Sequence, residues 1–376
     1  MSAFSPRRFT FAGAAVDVAA NQPEPLDWLA GIVPETAPGP VRLSVELIND
    51  DAVHAGLRQR PVPTLVSPVP TFARHRRHVA ALDHTFDGGE RTLYDPDFDL
   101  FYVVGEHRVR IVARRDNLRA RLRLLHILRE VGLATACQRR ALILQAAALI
   151  VDGQALLVVG PPRSGKTTLL AHLLRQPGAT YLADQLVVLL AQGDGFMAMG
   201  VPSIVEVRPD TPRLLGGDLA RLVHDADSAF LTPAERAARA VPQPTDDGRL
   251  VLTPRQFADA MGAGRAEQAP VVGILLPDTA GPARSRELQR IPVEAAEPRV
   301  ANAVFRIAFG GAAQSLFAHF AGTGTSASYR SDLTLLQRLV QTVPTFDCSI
   351  SADAFDDTAG PPLRRERRAQ PRAMPS

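Results

Sequence analysis

The sequence is poor in three features that would each point to a particular kind of protein. It has two cysteines, Cys137 and Cys348, far apart in the chain. That spacing fits neither a disulfide framework nor a metal site, so we expect buried thiols in a reducing compartment. No apolar run is long enough to span a bilayer, and we expect no membrane partner. Among 42 lysine and arginine residues, only Lys166 is a lysine.

The remaining composition is that of a globular protein. The chain has 376 residues, of which 46% are hydrophobic and 22% charged, enough for one large or two smaller buried cores. Its net charge of +3 is concentrated in the segment after Pro361, which holds five arginines and one glutamate. We predict a disordered basic tail over 356–376 and expect no nucleic-acid partner. Arg7 and Arg8 faintly resemble a twin-arginine export signal, but the apolar run that follows them is short and ends at Asp17. We therefore expect a cytoplasmic location.

The residues around Lys166 form the clearest motif in the chain. The segment consists of Gly160, Pro161, Pro162, Arg163, Ser164, Gly165, Lys166, Thr167 and Thr168. Its spacing, G-x-x-x-x-G-K-[ST], is that of a phosphate-binding P-loop. We expect Lys166 to reach the β- and γ-phosphates of ATP or another nucleoside triphosphate, and the Thr167 hydroxyl to ligate Mg²⁺. A compact ammonium suits such a cradle better than the broad guanidinium fork of arginine.

Residues 1–115 predict a β-rich N-terminal domain. The predicted strands are Phe9–Val18, Val41–Ile48, Leu100–Val104 and Val109–Ala113. A helix is predicted to start near Asp116 as its N-cap and to connect to the next domain. Its leucines form one stripe, and Arg119, Arg123 and Arg129 lie away from that stripe.

Residues 116–355 predict a nucleotide domain built around the P-loop, so the predicted fold class is α/β. Leu142–Val151 reads as a buried strand, Asp152 and Gly153 as a hairpin turn, and Gln154–Val159 as the strand that leads into the loop. Further predicted strands are Thr180–Leu182, Leu186–Leu190, Pro202–Val207, Val271–Leu276 and Thr345–Ile350. Predicted helices include Val300–Ile307 and Ser331–Val343.

Asp184 is the most informative residue outside the loop. It follows Lys166 by 18 positions, an interval that fits one helix, one turn and one strand. We expect it at the carboxyl end of a strand next to the P-loop strand, where ligands collect in open α/β sheets. There it would hold Mg²⁺ or accept a proton from an attacking hydroxyl. The alternative is an aspartate that merely caps a turn.

Other P-loop classes lack support in this chain. The guanine-binding N-K-x-D motif of G-proteins needs a second lysine, and the chain has none. No L-S-G-G-Q segment of the ABC type occurs, nor the glycine loop, H-R-D and D-F-G elements of protein kinases. A short unit of P-loop, helix, strand and aspartate favours a phosphotransferase.

Four segments together resemble the C-terminal domain of the HPr kinase/phosphorylase family. They are Leu144–Ala148, Val151–Gly153, Leu156–Thr168 and Leu182–Val187, and Val201-Pro202 with Val207-Arg208-Pro209 is similar to the family's next motif. The resemblance covers about residues 117–350. It implies the fold of HPr kinase and phosphoenolpyruvate carboxykinase. It also implies Mg²⁺-dependent transfer of the γ-phosphate to a hydroxyl.

Two residues depart from that family. Gln145 stands where relatives commonly carry histidine, and its amide can hydrogen-bond but cannot carry a proton. Gln185 stands where HPr kinases carry a second aspartate, which removes a potential metal ligand and weakens the case for the reverse reaction. Asp184 is then the single candidate base. The first 115 residues do not resemble the regulatory domain of HPr kinases, so HPr itself is not the expected acceptor.

Two hypotheses follow. In the first, the chain is a kinase with Asp184, Lys166 and Arg208 as catalytic residues, Thr167 and Asp184 as Mg²⁺ ligands, and Arg163 as a further stabiliser of the transferred phosphoryl. Its acceptor is a peptide, a protein serine or a small molecule. In the second, the chain is a nucleotide-binding module with reduced catalysis that regulates or scaffolds a partner. Homo-oligomerisation stays open in both.

Overall fold

A computed structural model describes residues 5–37, 43–59, 68–72, 75–81, 90–96, 98–208, 230–232, 235, 250–278, 288–305 and 333–349. Within these residues the chain is mixed α/β, with seven helices and three sheets. No helix in these ranges combines the length and apolarity needed to cross a membrane. The tail predicted to be disordered lies outside the described residues.

The first sheet is formed by the amino-terminal part of the chain. Its strands are β1 (Arg7–Phe11), β2 (Ala14–Ala20), β3 (Leu43–Asn49), β4 (Pro68–Phe72), β5 (His75–Ala81), β6 (Arg91–Asp95), β7 (Leu100–Val104) and β8 (Arg108–Ala113). They are arranged in the order β1-β2-β3-β8-β7-β6-β5-β4. Strands β2 and β3 alternate between buried and half-buried residues, the period-two pattern of a sheet with one face in the core. The short helices α1 (Glu24–Ala30) and α2 (Asp51–Arg58) connect strands of this sheet.

The predicted strand Phe9–Val18 is in fact a hairpin. Ala12 and Gly13 adopt φ angles of 51° and 85°, and Phe11 pairs with Ala14 across this two-residue turn. Two consecutive residues with positive φ give the backbone twist that a tight hairpin needs. The apolar alternation continues through the turn, and it therefore predicted one long strand instead of two.

Helix α3 (Ala120–Gln138) packs on the first sheet, although its residues were assigned to the nucleotide domain. The predicted N-cap was wrong, because α3 starts four residues after Asp116 and no side chain caps it. The sequence did not predict that Arg123 is buried: its side chain is 1% exposed and pairs with Asp95 of β6 at 2.5 Å. The Arg123 guanidinium lies 3.7 Å from the ring centroid of Phe98, which covers it further.

The second sheet has ten strands. They are β9 (Leu142–Leu144), β10 (Ala146–Val151), β11 (Gln154–Val159), β12 (Thr180–Ala183), β13 (Val187–Gln192), β14 (Gly195–Gly200), β17 (Gly264–Arg265), β18 (Gln268–Asp278), β19 (Leu288–Arg290) and β20 (Thr345–Ser349). The main path runs β17-β12-β10-β11-β18-β14-β13-β9, and β20 pairs with both β18 and β19. A separate ribbon joins β15 (Val205–Val207) to β16 (Leu250–Leu252).

Helices cover both faces of this sheet. Helices α4 (Lys166–Leu174) and α5 (Pro254–Ala260) contribute apolar side chains to the core of one face. Helices α6 (Val293–Ala301) and α7 (Leu333–Thr342) contribute to the core of the other. The register gives β11, β12, β18 and β20 the same direction, so their carboxyl ends share one edge of the sheet. That edge is where an α/β sheet offers a ligand site.

Three predicted elements of this part have different bounds. The predicted strand Leu142–Val151 bends at Gln145 into β9 and β10, which lie five strands apart, so the sheet turns back on itself. The predicted helix Val300–Ile307 is wrong over 302–305, where Val304 forms a bridge to Leu144 of β9, and its last two residues lie outside the described residues. The predicted strand Pro202–Val207 is limited to β15. In contrast, the turn at Asp152 and Gly153 is confirmed, because Val151 pairs with Gln154.

Candidate functional site

The P-loop connects the carboxyl end of β11 to the first turn of α4. Gly165 precedes α4 with φ of 83°, and Arg163 has φ of 73°. A positive φ is easily adopted by glycine but strains an arginine by about 1–2 kcal/mol. The Lys166 ammonium donates to the carbonyl oxygens of Gly160 at 2.9 Å and Pro161 at 2.7 Å. The loop is therefore curled around its own lysine.

Gly160 and Ser164 explain why the loop begins with glycine. A Cβ atom at position 160 would lie 2.5 Å from Ser164 Oγ, closer than real side chains approach. The Ser164 Oγ atom is buried and has no hydrogen-bond partner among the described residues. A buried hydroxyl without a partner carries a desolvation cost of about 1–3 kcal/mol. Ser164 is thus a polar group of the loop that a bound ligand can satisfy.

The loop's hydrogen-bond donors lie in its second half. Pro161 and Pro162 have no N–H groups, so a bound anion would be contacted from Arg163 onward. No side chain caps the amino end of α4, and the first α-helical hydrogen bond from the loop runs from Leu169 N–H to Gly165 O at 2.8 Å. The Ser164 N–H donates to Pro161 O at 3.2 Å within the loop, and the positive end of the α4 dipole, which attracts phosphate, lies next to it.

Asp184 lies at the same sheet edge, directly after β12, with 4% of its surface exposed. The expectation that its strand neighbours the P-loop strand was wrong. Strand β10 lies between them, since Ala148 pairs with Ala183 on one side and with Leu157 on the other. Two strand spacings of about 4.8 Å then separate β12 from β11, roughly 10 Å in all. Asp184 and the P-loop therefore lie at the same sheet edge, on strands separated by β10.

The two glutamines that depart from the resembled family have structural contacts here. Gln145 is half-buried at the bend between β9 and β10, and its N–H donates to Ala303 O at 2.7 Å. Because Ala146 pairs with Val159, Gln145 also lies at the P-loop edge. The Gln185 amide donates to Ile204 O at 3.0 Å, so its side chain ties the Asp184 turn to the segment before β15.

Arg208 and Thr167 differ in how directly the structure connects them with the loop. Thr167 lies half-buried in the first turn of α4. Arg208 is exposed just after β15, and no hydrogen bond or ion pair joins it to the P-loop within the described ranges. Its catalytic role stays a prediction.

The donor set at this edge fits Mg²⁺. No group of three histidine, cysteine, aspartate or glutamate side chains converges in the described part of the chain. Mg²⁺ does not need one, because it commonly binds one or two protein oxygens, substrate phosphates and water. A hydroxyl from Thr167 and a carboxylate from Asp184 are oxygen ligands of that kind.

Gly200 is a residue of this site that sequence reasoning missed. A Cβ atom there would collide with the carbonyl oxygen of Leu182, two residues before Asp184. Its neighbour Val201 donates its N–H to Leu186 O at 3.1 Å. The segment 200–204 thus lies against the turn that carries Asp184. The adjacent Val201-Pro202 motif was a signal in the sequence, but only the fold shows what it contacts.

Comparison with known proteins adds no family assignment. No protein-family model and no curated protein matches this chain.

Proposed function

We propose that the chain is a kinase of the HPr kinase type, which transfers the γ-phosphate of a nucleoside triphosphate to a hydroxyl. The acceptor is a peptide, a protein serine or a small molecule. One observation carries the proposal: the P-loop and the buried Asp184 lie at the same edge of one sheet, where β11 and β12 both end. The loop binds the phosphates, and a buried carboxylate at the same edge supplies the second group that phosphoryl transfer uses, as a metal ligand or as a base.

The chain's own residues supply three functions in this mechanism. Lys166 and the amino end of α4 bind the phosphates, and they stabilise charge as the γ-phosphoryl group leaves. Asp184 orients the acceptor hydroxyl and takes its proton. The acceptor oxygen forms a bond to the γ-phosphorus, the bond to the bridging β,γ-oxygen breaks, and the nucleoside diphosphate leaves. Thr167 and Asp184 would hold Mg²⁺, which, when bound, neutralises phosphate charge.

The test separates binding from transfer. Asp184→Asn keeps the size of the side chain but removes its basicity, so transfer should fall by roughly 10²–10⁴-fold. ATP affinity should change little by comparison. Mass spectrometry of candidate acceptors after incubation with Mg-ATP measures transfer, and Lys166→Ala serves as a control that lacks the loop's ammonium. Equal turnover in Asp184→Asn and the unchanged chain would remove Asp184 from the mechanism.

A second candidate is a nucleotide-binding module that regulates a partner. The hydrogen bond from the Gln185 amide to Ile204 O favours this candidate, because it connects the Asp184 turn to a residue outside the nucleotide edge. Ile204 in turn packs in the core of the first sheet, so the nucleotide edge and the first sheet are mechanically connected. ATP binding without phosphate transfer across a broad acceptor panel would favour this alternative over the kinase.

A further inference from the structure

A cavity of about 420 Å³ lies between the two sheets, apart from the P-loop. One wall comes from the β1–β2 turn and from residues after α1. The other comes from β12, the end of β14 and residues 265–267. A cavity of this volume is in the range of small-molecule sites. The proposed kinase activity does not use it.

Arg265 supplies a cation to this cavity. Its guanidinium donates to Gly31 O at 2.6 Å and to Ile32 O at 3.0 Å, which fixes it beside the end of α1. No carboxylate of the described residues lies within ion-pair distance of it. Desolvation lowers the pKa of this guanidinium, whereas the charges of Asp259 and Glu267 raise it, and the residue is exposed. Its positive charge is therefore held in place by neutral carbonyls and is available to an anion.

Glu267 supplies a separate anion to the same cavity. It is exposed, lines the wall two residues after Arg265, and does not pair with that arginine. Phe11 and Met199 also line the cavity and belong to one apolar cluster, so they supply apolar surface. The cavity thus combines a fixed cation, an anion and an apolar wall. A ligand that satisfies all three carries a carboxylate, an ammonium and an apolar body.

We propose that this cavity binds a zwitterionic ligand of the amino-acid or short-peptide class. The ligand carboxylate pairs with Arg265, its ammonium pairs with Glu267, and its apolar side chain lies against Phe11 and Met199. Free amino acids and short peptides share this chemistry, and the test below distinguishes them. The proposal does not depend on nucleotide binding or phosphate transfer.

Tyr181 connects the cavity to the Asp184 turn. Its side chain is buried and it lines the cavity wall. Burial raises the pKa of the Tyr181 phenol, the charge of Asp184 raises it further, and the charge of Arg265 lowers it. Both charges therefore act on the same side chain of β12. Arg265 lies on β17, the strand next to β12, and β12 leads directly to Asp184. A ligand bound to Arg265 would therefore lie one strand away from the strand that precedes the candidate catalytic carboxylate.

The binding experiment uses calorimetry of the full chain with four defined probes. L-leucine and L-leucyl-L-leucine carry both charges, L-leucinamide lacks the carboxylate, and N-acetyl-L-leucine lacks the ammonium. We expect one of the first two to bind at least about tenfold more tightly than leucinamide and N-acetyl-leucine, since each loses a charge-assisted bond. The tighter of the first two shows whether the site takes free amino acids or peptides. No binding by either would overturn the proposal.

Variants assign the binding to this cavity. Arg265→Gln should lower the affinity for the best probe at least about tenfold and leave the affinity for leucinamide, which lacks the carboxylate, unchanged. Glu267→Gln should lower the affinity for the best probe as much and leave the affinity for N-acetyl-L-leucine, which lacks the ammonium, unchanged. Arg255→Gln is the matched control: it removes an exposed positive charge nearby that does not line the cavity, and affinity should stay within about twofold. If Arg265→Gln does not fold, Thr10→Phe fills the cavity from β1 and should abolish binding. Unchanged affinity in Glu267→Gln and Thr10→Phe would contradict the site.

Discussion

The two sheets differ in where their polar groups lie and in which groups they interact with. In the first sheet, buried charges neutralise each other inside the protein: Arg123 pairs with Asp95 under Phe98. In the ten-stranded sheet, polar groups of the P-loop gather at one edge, where Lys166 donates to main-chain carbonyls and Ser164 Oγ has no described partner. Internal pairing stabilises a fold, whereas polar groups held at an edge by the backbone are suited to a ligand. The first region is thus expected to control stability and the second to control binding.

The largest expected effect on stability comes from breaking the buried pair. Asp95→Asn removes the carboxylate that pairs with the buried Arg123 guanidinium, so the free energy of unfolding should fall by about 3–5 kcal/mol. Urea denaturation measures it. The control is Asp116→Asn, which disrupts the exposed Arg114–Asp116 pair and should change stability by less than about 1 kcal/mol. Equal losses in the two variants would contradict a structural role for the buried pair.

A smaller effect is expected where the second sheet supports Asp184. Gly200→Ala forces a Cβ atom against the backbone of Leu182 and should cost about 1–3 kcal/mol of stability. It should also reduce phosphate transfer more than nucleotide affinity, because the displaced strand carries the candidate base. Gly195→Ala, at the other end of β14, meets only an ordinary contact 3.9 Å away and serves as the control. A Gly200→Ala chain with unchanged stability and transfer would show that the close contact does not position Asp184.

The smallest expected effect has the opposite sign. Arg163→Gly relieves the strain of a positive φ in the P-loop and should raise stability by less than about 1 kcal/mol. If Arg163 contacts the transferred phosphoryl, transfer should fall in the same variant. Asp152→Gly, in the β10–β11 turn with φ of 51°, is the control, since it relieves strain away from the loop. Thermal unfolding and the transfer assay together separate the two effects, and a loss of stability in Arg163→Gly would exclude strain at this position.

The sequence predicts local features better than sheet order. The β10–β11 hairpin follows from Asp152 and Gly153 alone, because two adjacent turn residues determine it. The P-loop likewise lies within nine consecutive residues. The insertion of β10 between β11 and β12 depends on pairings between segments distant in sequence, which no local pattern encodes. For the same reason the sequence could not show that Arg123 is buried, since its partner Asp95 comes from another strand.

The candidate site divides along the same line. The spacing from Lys166 to Asp184 correctly predicted that both lie at the carboxyl edge of the second sheet, because this depends only on strand direction. The contacts of Gln185 with Ile204 and of Gly200 with Leu182 join residues 19 and 18 positions apart, and each involves a main-chain carbonyl oxygen. Main-chain contacts leave little trace in side-chain pattern. The supporting residues therefore appear only in the fold, whereas the motif residues are visible in the sequence.

Nucleotide affinity of lysine variants tests the central claim most directly. Calorimetric titration of the full chain with Mg-ATP should show one site, and Lys166→Ala should weaken it roughly 100-fold, as expected for about 3 kcal/mol of charge-assisted hydrogen bonding. Lys166→Arg should not restore affinity, because a guanidinium fork does not fit this curled loop. The unfolding midpoints should stay similar. Equal ATP affinity in the unchanged chain and Lys166→Ala, or no ATP binding by the unchanged chain, would contradict the claim.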